Sequence, residues 1–190
     1  MRIISGRLKG RKLVLPKTIS FRPALGLVRK ALFDTIRFKI TPDQRFLDLF
    51  GGSGSIGLEA YSQGIDYVWI NELDRTNFSF LKKNIENMGL SETITALNSD
   101  YLGCLDRASA EGVSFDYIYC APPYAKTEYY KKTIERVREK SGLLTLKGML
   151  IVECLKDEDF VFKGFRILRD HNYGSTRVIQ LELDPARSVT

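Results

Sequence analysis

Asp48-Leu49-Phe50-Gly51-Gly52-Ser53-Gly54-Ser55-Ile56-Gly57 is the stretch of this 190-residue sequence whose spacing points most plainly to chemistry. Gly52, Gly54 and Gly57 satisfy G-x-G-x-x-G between an apolar run and a helical one, where glycine permits a tight turn and close approach of backbone to a ligand. Glu72 follows Gly52 by twenty residues, at the end of the next apolar run, where a carboxylate can accept hydrogen bonds from both ribose hydroxyls. Asp100 closes the run after that. The loop and the two acids converge on a nucleoside. Nicotinamide enzymes share this layout, so the glycines leave the identity of the nucleoside open.

A second chemical feature is Cys120-Ala121-Pro122-Pro123-Tyr124, which follows a later apolar run. Two prolines fix φ and stop a strand from continuing, leaving a rigid loop of main-chain carbonyls and a tyrosine face. Such a loop suits a flat ring bearing an amino group. His171 is the sole histidine, which excludes a zinc site with two histidines and a triad needing a second imidazole. Cys104, Cys120 and Cys154 are odd in number and widely spaced, so they are expected as reduced, buried residues rather than disulfides or a metal clip. No metal is expected.

These residues need elements to hold them. Strands are expected at 45–50, 67–71, 94–98, 117–120, 149–153, 165–168 and 178–183, and helices at 25–38, 55–63, 74–88 and 128–140. Short strands alternating with helices imply βαβ units and a mostly parallel sheet covered on both faces. The last two strands, joined by a turn at 170–174, should form an antiparallel edge. Charge is divided unevenly. Residues 1–40 hold eleven Lys or Arg against one acid, a net of +10, whereas 41–190 hold 18 against 22, a net of −4. That is the footprint of an arm that grips a phosphate backbone, through Arg2, Arg7, Lys9, Arg11 and Lys12, with Gly6 and Gly10 as turns of a short basic hairpin. Residues 1–40 are therefore read as a phosphate-binding arm and helix, and 41–190 as the domain that carries the glycine loop and both acids. No apolar run approaches a membrane span and the N-terminus lacks a secretory pattern, so a cytoplasmic monomer is expected.

The opening Met1-Arg2-Ile3-Ile4-Ser5-Gly6, Val28-Arg29-Lys30-Ala31-Leu32-Phe33, Leu47 to Gly54, Gly57-Leu58-Glu59-Ala60 and Asn71-Glu72-Leu73-Asp74-Arg75 carry a family resemblance. The chain resembles the bacterial S-adenosylmethionine-dependent methyltransferases that modify the exocyclic N2 of a guanine in 16S ribosomal RNA. The resemblance implies an α/β, Rossmann-like class I methyltransferase with a seven-stranded sheet. It implies S-adenosylmethionine held by Asp48, Phe50, Gly51, Gly52 and Gly54 at the methionine end, Glu72 at the ribose and Asp100 at the adenine amino group. It also implies catalysis at residues 121–124, with Arg22 and Arg29 joining the arm on 16S rRNA or the assembling small subunit.

The sequence departs from that family at one position. The family loop is Asp or Asn before Pro-Pro-Tyr, and here the residue is Ala121. In the family that side chain accepts hydrogen bonds from the target amino group, and loss of one such preorganised contact typically costs about 10²- to 10³-fold in rate. The expectation is an impaired enzyme. Two other readings remain, a binder that retains the cofactor site without catalysis and a DNA adenine N6-methyltransferase, although the chain leaves no room for an added target-recognition segment.

Overall fold

The computed structural model describes residues 1–16 and 23–184, and within them the expected alternation is present. In chain order the elements are α1 (Pro23–Ile36), β1 (Arg45–Asp48), α2 (Ser55–Gln63), β2 (Tyr67–Asn71), α3 (Arg75–Asn87), β3 (Ile94–Leu97), α4 (Tyr101–Ala110), β4 (Phe115–Cys120), α5 (Thr127–Glu139), β5 (Leu144–Leu155), β6 (Phe165–Tyr173) and β7 (Thr176–Leu183). The strands form one sheet in the order β3-β2-β1-β4-β5-β7-β6. β1 to β5 run parallel, and β7 lies antiparallel between β5 and β6.

Period-2 alternation divides the core. Along β4, Ile118 and Cys120 face the layer of α4 and α5, with Cys104, Leu105, Ile134 and Val137. Tyr117 and Tyr119 face the layer of α1 to α3, with Val28, Leu32, Leu58 and Leu81. The three cysteines are buried and unpaired.

Three local expectations are corrected. Helix α4 was not anticipated, although Tyr101, Cys104, Leu105 and Ala108 are all buried at helical spacing. β6 extends to Tyr173, and the reversal takes only Gly174 and Ser175, with Tyr173 paired to Thr176. β6 is an edge strand exposed from Arg166 to Asn172, so no buried alternation marks its length. β5 starts at Leu144 rather than 149, and the exposed Leu146 and Lys147 hide that start in the sequence by interrupting the buried pattern.

The N-terminal segment is docked. Arg2 bridges Lys12, and Ile3 N–H donates to Arg11 O at 3.0 Å, as does Gly10 N–H to Ile3 O. Ile3 and Leu13 are buried in the same cluster as α1 and Phe46 of β1. Buried Glu59 of α2 accepts the N–H groups of Ile4 and Ser5, each at 2.9 Å. Ile3, Leu13 and the inward stripe of α1 thus share a core with the sheet.

Candidate functional site

Strand order reverses between β1 and β4, and in open α/β sheets that is where a crevice opens beyond the carboxyl ends of the strands. A cavity of about 1300 Å³ lies there, lined among others by Asp48, Gly51, Glu72, Ala121, Tyr124 and Glu153.

Asp48 ends β1, 1% exposed, and its carboxylate accepts the Gly57 N–H at 2.9 Å. Burial pushes its carboxyl up to about 7, the hydrogen bond from Gly57 opposes this, and the charges of Glu72 and Glu153 add to the rise. The loop that follows is seated by Gly51 N–H on Asn71 O and Gly54 N–H on Gly51 O, both at 2.8 Å. Gly52 and Gly54 have φ of +57° and +87°, a left-handed backbone that glycine adopts without strain. A Cβ on Gly54 would also meet Leu81 at 2.6 Å, so this glycine serves packing as well as turning. Glu72 faces the cavity just beyond β2. Its two oxygens accept the N–H groups of Gly52 and Asp74, each at 2.7 Å, leaving lone pairs for a diol. Burial raises its pKa, and these backbone bonds oppose the shift.

Asp100 is placed otherwise. Its carboxylate caps α4 by accepting the N–H groups of Leu102 and Gly103 at 3.0 and 3.1 Å, and it is not among the cavity-lining residues. Phe50, Tyr101 and Tyr129 instead form an aromatic wall, with Tyr101 and Tyr129 centroids 4.6 Å apart and Phe50 5.3 Å from Tyr101. Sequence reasoning missed Tyr101 and Tyr129, which no motif marks.

Ala121, Pro122, Pro123 and Tyr124 follow β4 and line the same cavity. Pro123 O accepts the Lys126 N–H at 2.8 Å, and Tyr130 Oη donates to Pro122 O at 3.4 Å. Tyr124 Oη donates to Glu153 Oε1 at 3.2 Å, which steadies its ring. Glu153 was also missed. The available signal was an acid inside the apolar run Met149 to Cys154.

The basic residues take several places. Arg2 donates to Gly10 O and Arg11 to Asn87 O, both at 2.6 Å. Arg7 lies 3.6 Å from the Tyr61 ring centroid and pairs with Asp66 at 2.7 Å, so it fastens the arm to the body. Lys9 and Lys12 are exposed. Arg22 lies outside the described residues. Arg29 departs from the surface position expected of it: 4% exposed, it lies 3.5 Å from Glu59, donates to Arg2 O at 2.7 Å, and forms part of the cavity wall. Its place in the wall follows from the apolar Val28-Leu32-Ile36 stripe of α1, which turns that side of the helix inward.

A family model described as conserved hypothetical protein 95 matches residues 1–182. The chain belongs to that family. Relatives include the ribosomal RNA small subunit methyltransferase D of Haemophilus influenzae, 34% identical over 92% of this chain and 89% of that protein. The protein of the same name from Buchnera aphidicola subsp. Acyrthosiphon pisum is 33% identical over 88% of this chain and 85% of its own length. Among solved structures, the putative methyltransferase yhhF from Escherichia coli matches with a TM-score of 0.82 at 26% identity, over 97% of this chain and 98% of that one. The family's fold is the class I methyltransferase fold, and the sheet order and helical layers here conform to it.

Proposed function

We propose that this chain transfers a methyl group from S-adenosylmethionine to the exocyclic N2 of a guanine in 16S ribosomal RNA. One observation carries the reading: a single cavity is lined by Phe50 and Gly51 of the glycine loop, by Glu72 and by Ala121 to Tyr124 of the Pro-Pro-Tyr loop, so a nucleoside cofactor and a flat base can meet within it. The names of the two relatives support ribosomal RNA as the substrate class.

The residues fit the cofactor by their chemistry. Glu72 has acceptor capacity for the ribose diol, the Phe50-Tyr101-Tyr129 wall offers apolar faces for adenine, and buried Asp48 offers a carboxylate for the ammonium at the methionine end. Asp100 remains the proposed partner of the adenine amino group from its exposed side. Bound S-adenosylmethionine supplies an electrophilic methyl on sulfonium. The chain itself must hold the base flat, exclude water and align the amino lone pair, which is delocalised into the guanine ring. Tyr124, held by its hydroxyl, is the stacking face for a guanine flipped out or already unpaired. Pro122 and Pro123 fix the loop, and Ala121 contributes only its main-chain carbonyl where the family pattern has a polar side chain. Lys9 and Lys12 present the arm's exposed charge to RNA phosphates.

The test is transfer of labelled methyl from S-adenosylmethionine to 16S rRNA transcribed in vitro, free and reconstituted into small subunits, with the product nucleoside identified. N2-methylguanosine is expected. Ala121 favours a second reading, an RNA binder without catalysis, and RNA and cofactor binding with no transfer to either RNA would establish it.

A further inference from the structure

Glu153 lines the cavity, and the roles above use it only to hold the Tyr124 hydroxyl. Period-2 alternation brings Asp48 of β1, Tyr119 of β4 and Ile151 of β5 to the sheet face that packs on α1 to α3, and the next position outward on that face is Ala121 beside Glu153. Register pairs Cys120 with Val152, so residues 121 and 153 are neighbours on adjacent strand ends. Glu153 is 5% exposed, and the ion pairs among the described residues do not include it. Each oxygen accepts one phenol, Tyr119 on Oε2 and Tyr124 on Oε1. A carboxylate has about four lone-pair sites, so acceptor capacity remains after both phenols are satisfied. Burying a carboxylate with no cation beside it is costly, and a neutral amide would receive two phenols at lower cost. The charge therefore calls for a use at the cavity.

We propose that Glu153 accepts the hydrogen bond of the target amino group, the role that the family pattern gives to the side chain at 121, and takes the proton that this nitrogen sheds. The inference rests on the methyl-transfer reading above. The nitrogen lone pair forms the N–C bond to the methyl carbon while the C–S bond breaks, its electron pair staying on sulfur as a neutral thioether. The nitrogen, now cationic, loses one proton to a Glu153 oxygen, and the resulting carboxylic acid returns it to water as product leaves. Burial raises the Glu153 carboxyl above its ordinary range against the pull of the two tyrosines, which makes it a better base than an exposed glutamate. The methyl of Ala121 fits this arrangement, because an aspartate there would set a second carboxylate beside Glu153 and near Asp48.

The experiment is a two-by-two cycle in the full chain, Ala or Asp at 121 against Glu or Gln at 153, read by single-turnover methyl transfer to the in vitro 16S transcript, free and reconstituted. Calorimetry with S-adenosylhomocysteine runs beside it. Glu153→Gln should slow transfer by about 10²- to 10³-fold with homocysteine-product affinity retained. Ala121→Asp should give no gain in the parent and recover at least about tenfold in the Gln background, a coupling that independent sites do not produce. Transfer by Glu153→Gln at the parent's rate would overturn the proposal, as would an equal gain from Ala121→Asp in both backgrounds. A parent that binds S-adenosylhomocysteine but methylates neither RNA refutes the rRNA reading itself and the Glu153 role with it. Should Glu153→Gln not fold, Glu153→Asp keeps the charge and withdraws it by one methylene. The same loss and the same rescue are expected of it, and parity with the parent again overturns the role.

Discussion

Asp48 should make the stability of the ligand-free protein fall as pH rises. Its carboxyl is fully buried and moves from an ordinary 3.8 to about 7, so the folded chain holds this proton over a range in which the unfolded chain has released it. The contribution of this proton to stability is complete below about pH 3.8 and is lost through the window up to about 7. A displacement of roughly three units at 1.36 kcal/mol each amounts to about 4 kcal/mol. Asp48→Asn keeps an oxygen for the Gly57 N–H and cannot ionise, so it should lose this pH dependence while incurring about 1 to 3 kcal/mol for a buried amide that lacks partners. Urea unfolding of both chains at half-unit steps from pH 4.5 to 7.5 reads the effect. The variant should be the less stable at the acid end and gain on the parent toward neutrality. A second readout is proton release: near pH 6, placing an ammonium against Asp48 should expel up to about one proton, visible as calorimetric enthalpies of S-adenosylhomocysteine binding that vary with the ionisation enthalpy of the buffer. Parallel stability profiles for parent and variant would refute the reasoning.

Glu72→Ala should weaken S-adenosylhomocysteine binding by about 1 to 3 kcal/mol in calorimetry, the cost of stranding buried hydroxyls, and NADH should bind neither chain. Lys9→Gln with Lys12→Gln should lower the salt slope of RNA binding by roughly two with no change in unfolding midpoint; an unaltered slope would make the arm a solvated face. Arg7→Gln should instead lower the unfolding midpoint, because Arg7 stacks on Tyr61 and pairs with Asp66, together worth about 1 kcal/mol at an exposed site. Tyr124→Ala should reduce turnover more than cofactor binding, since base stacking on an aromatic ring is worth about 1 to 3 kcal/mol; a loss of thermal stability with turnover intact would reduce Tyr124 to loop packing.

Much of the fold was legible because its signals are local. α2 and β2 have the limits that periodicity and flanking turns suggest, and the parallel order follows from alternating elements. What was illegible depends on neighbours distant in sequence. α4 carries a clear apolar stripe, but Asp100 before it reads in the sequence as a ligand contact, and the same carboxylate is the helix cap. Arg29 resembles its basic neighbours in sequence and differs only through α1 turning it onto Glu59. Of the site, the glycine loop, Glu72 and the proline loop were readable from spacing. Glu153 was not, because its relation to Ala121 exists only through the register of β4 and β5. Tyr101 and Tyr129 belong to different helices and meet only after folding.

Asp48 and Tyr119 are register partners at the middle of the sheet, yet they stand seventy-one positions apart in the chain. Three helices and two strands, α2 to α4 with β2 and β3, lie between them. The floor of the cavity is therefore closed by one of the most sequence-distant strand pairings among the described residues, and loop-closure entropy must be overcome before that pairing returns any energy. The glycine loop and Glu72 can come together early, since they belong to one βαβ unit. The Pro-Pro-Tyr loop joins them only when β4 enters the sheet. A ligand that touches both sides recognises the finished sheet, and its binding energy adds to the stability of the whole fold in proportion to the logarithm of ligand concentration. Cofactor in the medium should thus protect β3 and β5 amides from hydrogen exchange as effectively as those of the loop it contacts, wherever exchange proceeds through global opening.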